Sequence, residues 1–325
     1  MAIKKWLIPD LPEWAKDTPR AIKDGAVAQA GAAVKNAKQK FKMTGEFQEV
    51  KFRSRKDPVQ TLFIRNDMLR GGTIYPTKMG KLRMAESLPE DPRDSQLILD
   101  NGRYYLCVPY KTTVQRGDNQ ARIVGLDPGV RTFISFYCPE SAGKLGEYDF
   151  GRLARLCRHL DKLMSKIDTS KDAKQRRRMR KAANRLRWKI KDLIQEAHYK
   201  IGRFLVDNFD VIFLPELETA RLSSKTKRKL RKKSVRAMLT WSHYRFQQRL
   251  KSMAQAAGIL VLPVDESYTS KTVNWTGEIN YQLGGSRFVT SADGTRMDRD
   301  LNGALGVYLK GLVGYHLGPQ GPSIC

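Results

Sequence analysis

The run Ile-Val-Gly-Leu-Asp-Pro-Gly-Val-Arg-Thr-Phe at residues 123–133 constrains the fold more than any other stretch of the chain. Its apolar start reads as a buried strand that ends at Asp127. Pro128-Gly129 turns the chain, and Phe133-Ile134-Ser135-Phe136-Tyr137 resumes as a second strand. An acid is thereby presented at the lip of a hairpin. Taken alone the segment would be an ordinary turn, because Pro fixes φ and Gly accepts a positive φ. Two further acidic segments give it weight: Leu214-Pro215-Glu216-Leu217-Glu218 and Met297-Asp298-Arg299-Asp300-Leu301-Asn302-Gly303-Ala304.

The periodicity around these segments predicts an ordered series of elements. Strands at 122–126, 132–138 and 146–150 form a three-stranded meander. Leu153, Leu156, Leu160, Leu163 and Ile167 recur at helical steps, as do Leu186, Ile190, Leu193, Ala197, Ile201 and Phe204. These make two long amphipathic helices, joined by the segment Thr169 to Arg180. A buried-type strand, Val211-Ile212-Phe213-Leu214, comes next, then a helix from Trp241 to Ala257 with Gly258 as its stop. Ile259-Leu260-Val261-Leu262 is a further strand, and Asp300 to Val313 a last helix. Upstream, residues 1 to about 45 read as helix. Val50 to Tyr110 carries five short alternating segments separated by turn residues, which predicts a small antiparallel barrel or sheet. Lys111 to Gln120 reads as a linker, and two domains are expected from 325 residues.

Charge narrows the partners. Sixty Lys and Arg against thirty-three Asp and Glu give a net +27, so the compact state repels itself unless a polyanion is bound. Nucleic acid is the expected partner. No apolar run approaches the ~20 residues needed to span a bilayer, so no membrane partner is expected. The N-terminus lacks the apolar stretch and cleavage site of a secretory signal, which predicts an intracellular protein. Cys107, Cys138, Cys157 and Cys325 share no short spacing, which argues against a disulfide framework or a metal knuckle. His159, His198, His243 and His316 are equally scattered and read as packing or surface residues.

Carboxylates at these structural breaks point to phosphodiester chemistry. Such hydrolysis uses two divalent ions about 3.5–4 Å apart, one activating water and the other stabilising the leaving oxygen. Mg²⁺ prefers oxygen ligands, and adjacent carboxylates without it would raise one another's pKa. Asp127, Glu216 and Asp300 are the expected catalytic residues and Mg²⁺ ligands, with Mn²⁺ as a substitute. Singly, each has a structural reading: Glu216 as a strand-end charge, Asp298 and Asp300 as helix caps. Their order and placement favour the site. Glu218, Glu266 and Asp298 are alternative acids.

Five segments resemble, in order, the TnpB (insertion-sequence OrfB) and Fanzor proteins, relatives of type V CRISPR effectors. They are Gly125 to Phe133, Phe213-Leu214-Pro215-Glu216, Trp241-Ser242-His243-Tyr244-Arg245-Phe246, Tyr268-Thr269-Ser270-Lys271-Thr272 and Asp298 to Ala304. Tyr75 to Leu82 resembles part of that family's wedge barrel. The resemblance implies an α/β chain: a ribonuclease H-like (RuvC) nuclease domain with a long helical insertion at 119–313, and a β-barrel, wedge-like domain at 46–118. Residues 1–45 would be a helical remnant of the recognition lobe and 314–325 a C-terminal tail. It also implies an RNA-guided DNA endonuclease of a mobile element, with DNA and a guide RNA as partners and Mg²⁺ at the acids. The host decides the compartment: nucleus in a eukaryote, cytoplasm and nucleoid in a prokaryote.

This sequence departs from the family pattern twice. Two Cys-x-x-Cys pairs hold a structural zinc in the family. The matching positions here are Val273, Thr276, Thr290 and Asp293, so 267–296 reads as a degenerate ribbon without zinc. Family members also carry a larger N-terminal region, and this chain is read as starting part-way through it. These departures leave a second function open, a nucleic-acid-binding derivative that does not cleave. Two nearly all-positive tracts are the expected phosphate contacts: Arg176, Arg177, Arg178, Arg180 and Lys181 in one, and Lys225, Lys227, Arg228, Lys229, Arg231, Lys232, Lys233 and Arg236 in the other.

Overall fold

The computed structural model describes residues 10–51, 54, 57–70, 72–79, 83–114, 117, 119, 121–215, 239–265, 271–279 and 286–316. The chain divides into two compact units, Met1–Thr112 and Thr113–Cys325.

In the first unit α1 (Glu13–Lys16) precedes α2 (Arg20–Thr44), which stops at Gly45 in the left-handed conformation. β1 (Val59–Ile64) is followed by β2 (Leu69–Arg70), β3 (Thr73–Ile74) and a helical turn α3 (Pro76–Met79). β4 (Ser95–Asp100) and β5 (Arg103–Cys107) form a hairpin. Its two-residue turn, Asn101-Gly102, has φ of 50° and 91°, the geometry whose twist matches paired strands. Of the expected barrel or sheet, the described residues show a three-stranded antiparallel sheet, β1-β4-β5, beside a separate β2-β3 ladder. Ile22 of α2 packs with Leu97 and Leu106 against the buried Ile64, Leu69, Ile74 and Tyr75, so a helix shields part of the apolar cluster.

The second unit is a mixed α/β arrangement. β6 (Ile123–Pro128), β7 (Ile134–Cys138) and β8 (Ser141–Leu145) form the antiparallel meander. The third strand lies five residues earlier than the predicted 146–150, because Pro139 and Glu140 alone turn the chain and Cys138 pairs directly with Ser141. α4 (Asp149–Thr169) and α5 (Ala173–Asn208) follow, then β9 (Val211–Pro215), α6 (His243–Ala257) and β10 (Leu260–Val264). Only residues 170–172 separate the two long helices, so the basic run after Thr169, expected as a joining segment, is helical. Asp172 caps α5 by accepting from the Lys174 N–H, which lets the helix begin there despite the positive charge crowding its first turns. Two small hairpins come next, β11 (Thr272–Val273) with β12 (Glu278–Ile279) and β13 (Phe288–Thr290) with β14 (Arg296–Asp298). α7 (Arg299–His316) closes the described chain. Among the described residues no helix is long and apolar enough to cross a membrane.

The five strands lie in the order β10-β9-β6-β7-β8, with β6, β9 and β10 parallel. Alternation in β6 assigns its two faces. Val124 and Leu126 join Leu205, Ile212, Phe246 and Leu250 in the main core under α5 and α6. Ile123 and Phe213 face the other way, into a cluster with Val307 and Leu312 of α7. Gly125 shares that second face, and a Cβ there would lie 2.6 Å from the Tyr308 backbone nitrogen and 2.7 Å from the Ala304 carbonyl oxygen. Helix and strand therefore meet backbone to backbone. Gly125→Ala is expected to destabilise the fold by about 1–3 kcal/mol, since neither backbone can step aside cheaply. Urea denaturation should show a lower midpoint at an unchanged slope.

Candidate active site

Asp127 is the next residue after Gly125 on the α7 face, two positions along the strand. A Cβ on Gly303 would collide with its carboxylate, the Asp127 Cγ lying 3.0 Å from where that atom would sit. The acid thus rests directly on the backbone of α7. Asp300, one turn earlier on α7, shares the face of Gly303 and is 48% exposed in its side chain. Two of the three expected acids are thereby brought to one place. Glu216 and Glu218 follow β9 in the sequence and Glu266 follows β10; all three lie outside the described residues, as does the tract Lys225–Arg236. Among the described residues no three His, Cys, Asp or Glu side chains converge as a metal would require.

Asp298 plays a different part. Its Oδ1 accepts from the Asp300 N–H at 2.9 Å, capping α7, while Oδ2 accepts from Lys144 Nζ at 2.7 Å. Both its oxygens are committed, so of the two acids in that motif Asp300 is the one left to reach a ligand. Lys144 belongs to β8 and is paired with Ser135 of β7, which is paired in turn with Asp127. Asp127, Ser135 and Lys144 form one row across three strands on one face. Ser135 is 1% exposed, and its Oγ has no hydrogen-bond partner among the described residues.

The loop after Asp127 is held from below. His243 Nε2 donates to the Gly129 carbonyl at 3.1 Å and Trp241 Nε1 to the Val130 carbonyl at 2.9 Å. Phe133 is stacked between His198 and His243, with ring centroids at 5.1 and 4.9 Å, and Phe246 meets its edge. His198 Nε2 donates to the Trp241 carbonyl at 2.8 Å. A carbonyl can only accept, so each ring carries its proton on Nε2. The Trp-Ser-His-Tyr segment is therefore a clamp on the loop of the first acid, a role that the scattered spacing of the histidines does not disclose. Only the packing of α5 against α6 brings His198 and Phe246 to the same ring.

Asn302, fully buried, ties the small hairpins to α7. Its Oδ1 accepts from the Asn274 N–H at 2.9 Å, its backbone carbonyl from Asn274 Nδ2 at 2.8 Å, and its Nδ2 donates to the Thr272 carbonyl at 2.8 Å. Val273, Thr276, Thr290 and Asp293 are all engaged within the hairpins. Val273 is 1% exposed and packs with Val289 and Trp275. Thr276 Oγ1 accepts from the Glu278 N–H, and Asp293 accepts from Ser291 and Thr295. Those bonds, Ser291 first, hold the Asp293 carboxyl below its ordinary value.

These features define a mixed α/β protein whose acids gather where a strand end meets the start of a helix. Residues 243–307 match the model of the Cas12f1-like TNB domain. A candidate transposase of Paramecium bursaria Chlorella virus 1 is 31% identical over 317 residues, covering 92% of this chain and 71% of that protein. A TnpB-like protein of Acanthamoeba polyphaga mimivirus is 28% identical over 263 residues, covering 77% of this chain and 49% of that one. The chain belongs to the family of TnpB-like transposase proteins related to Cas12. A chain of the Cas12f1–sgRNA–target DNA complex aligns at a TM-score of 0.47 and 15% identity, over 67% of this chain and 45% of that one, too loosely to argue from.

Burial, the largest cause for both, lowers the pKa of His198 and of His243 from 6.5 to about 4. Unfolded histidine takes up its proton near 6.5, so the neutral rings stabilise the fold fully above that pH and progressively less as pH falls toward 4. Each is worth on the order of 3 kcal/mol across this window. Denaturation midpoints at constant ionic strength should fall from pH 6.5 to 4, and the His198→Gln, His243→Gln double variant should show a shallower fall. A variant as steep as the wild type would assign the loss to the carboxylates alone.

Proposed function

We propose that the second unit is a ribonuclease H-like nuclease domain of the RuvC type, acting on DNA under a guide RNA. Strand order β10-β9-β6-β7-β8, with an antiparallel meander, two parallel strands and helices on both faces, supports the fold reading. The single observation that carries the activity is the seat of Asp127 on Gly303, one turn from Asp300. The donor set fits a divalent ion: carboxylate oxygens, a strand end held by the Trp241 and His243 clamp, and a glycine that lets the strand's acid lie against the helix carrying Asp300. Asp127 and Asp300 would hold Mg²⁺, with Glu216 or Glu266 as the third ligand. When bound, the ion supplies an activated water and charge stabilisation at the leaving oxygen. Asp298 caps the start of α7 so that Asp300 faces the site, and Lys144 pairs with the other Asp298 oxygen.

Asp127→Ala and Asp300→Ala should each abolish Mg²⁺-dependent cleavage of DNA and leave nucleic-acid binding within a few-fold of wild type, because they remove metal ligands and not phosphate partners. Undiminished cleavage by Asp127→Ala would sink the assignment. A second reading, a non-cleaving binder, is favoured by the replaced knuckle positions, and an inactive wild type that still binds would establish it. Sequencing the RNA that copurifies with the protein tests guidance.

The chain spans 71% of the chlorella-virus relative and about half of the mimivirus one. Arg177, Arg178, Arg180 and Lys181 are exposed on α5, with Arg177, Arg178 and Lys181 on one side of the helix. Changing those three to Gln should flatten the slope of log affinity against log salt by roughly 0.7 to 0.9 for each phosphate no longer neutralised, on two unrelated oligonucleotides alike. An unchanged slope would make the run a solvated face.

A further inference from the structure

Lys144 is a closely held cation of the second unit. Its side chain is only 17% exposed, and its Nζ lies 2.7 Å from Asp298 Oδ2, 3.8 Å from Glu147 Oε1 and 3.9 Å from Asp300 Oδ2. The strand register places it two rungs from Asp127, beyond Ser135, on the face that α7 covers. One positive charge therefore sits among three carboxylates at the edge of the acid site. Strand β8, the turn after it, the end of β14 and the first turn of α7 all converge on one ammonium group.

We propose that Lys144 is a built-in counter-cation of the acid site, holding the start of α7 in place in the metal-free protein and opposing the divalent ion when it binds. The inference rests on the metal reading above and says how that site is regulated. Two physical consequences follow from the geometry. Without Lys144, Asp298, Asp300 and Glu147 lose the ammonium group that all three face, so the metal-free fold loses stability. The Asp298 cap on α7 loses the partner that fixes its second oxygen, while its bond from the Asp300 N–H still sets the start of the helix. With Lys144 present, a divalent ion at Asp127 and Asp300 meets a like charge within a few ångströms of Asp300, in a partly desolvated setting where such repulsion is weakly screened. Metal-free stability and metal affinity are thus set against each other by one residue.

The effect separates from a merely structural one by its sign. A residue that only supports the site weakens metal binding when removed; a counter-cation strengthens it. Ser135, between the two ends of the row, is too short to neutralise charge and offers only a hydroxyl, so the opposition is assigned to Lys144 alone.

The test is calorimetric titration of the full chain with Mn²⁺ and with Mg²⁺, and thermal melting in chelator, for wild type, Lys144→Met, Lys144→Arg and Asp127→Ala. Lys144→Met is expected to melt a few degrees lower in chelator and to bind Mn²⁺ on the order of tenfold more tightly. Lys144→Arg, which keeps the charge, should stay near wild-type affinity. If Lys144→Met does not fold, Lys144→Gln takes its place with the same expectations. Equal or weaker Mn²⁺ binding by the folded neutral variant, while Asp127→Ala loses binding, overturns the counter-cation and leaves the metal site standing. No saturable ion binding by wild type, or equal binding by Asp127→Ala, overturns the metal reading and this inference with it.

Discussion

The approach of α7 to β6, backbone against backbone, is the constraint from which the site follows. It passes through two glycines. Gly125 lets the helix lie on the strand at Ala304 and Tyr308, and Gly303 lets the strand's acid lie on the helix. Each glycine costs conformational entropy on folding, roughly 0.5–1 kcal/mol relative to alanine, and the close contact is what offsets that cost. With any side chain at either position the helix stands off, and Asp127 and Asp300 no longer share a face. Phe213 against Gly311 continues the same contact toward the far end of the helix. The juxtaposition of Asp127 and Asp300 is therefore a property of helix-on-strand packing.

What surrounds that contact is a set of ties from separate segments, each made by a residue near an acid and not by the acid itself. Trp241 and His243 grip the turn after Asp127, Asp298 caps the helix that carries Asp300, and Asn302 binds the hairpin strand ending at Val273. Buried polar groups of this kind are costly if left unpaired, by about 1–3 kcal/mol each, so the ties are demanding as well as stabilising. His243 shows the demand: its Nε2 is satisfied by Gly129 while its Nδ1 has no partner among the described residues. The low pKa of that ring is the electrostatic face of the same burial.

Much of this is legible in the sequence, and the limits are physical. Asp127 can be placed at a strand end because alternation and an Asp-Pro-Gly turn are local signals, and Gly258 ends α6 as a left-handed cap for the same local reason. The meander's third strand departs from its expected place because a two-residue turn at Pro139-Glu140 has no glycine or asparagine to announce it. The start of α5 is hidden because a run of arginines looks like solvated coil, whereas the Asp172 cap sets the helix. Lys144 is invisible as a site residue. Its position depends on cross-strand register and on the end of β14, which no spacing within the chain reveals. Cover of the first unit's apolar cluster by α2 is equally non-local, since it depends on tertiary packing.

The hairpins between β10 and α7 have little core of their own. The cluster of Val273, Val289 and Trp275 contributes apolar burial of about 1.5–3 kcal/mol per side chain, an upper estimate for so small a core. The Asp293 turn adds less, because its bonds to Thr295 are solvent-facing. The remaining support comes from α7: Asn302 makes three hydrogen bonds to Thr272 and Asn274, and Asn274 packs over Gly306, where a Cβ would come within 2.7 Å of its Nδ2. The hairpins thus lean on the helix that carries Asp300, and disturbance of the hairpins passes directly to the start of that helix.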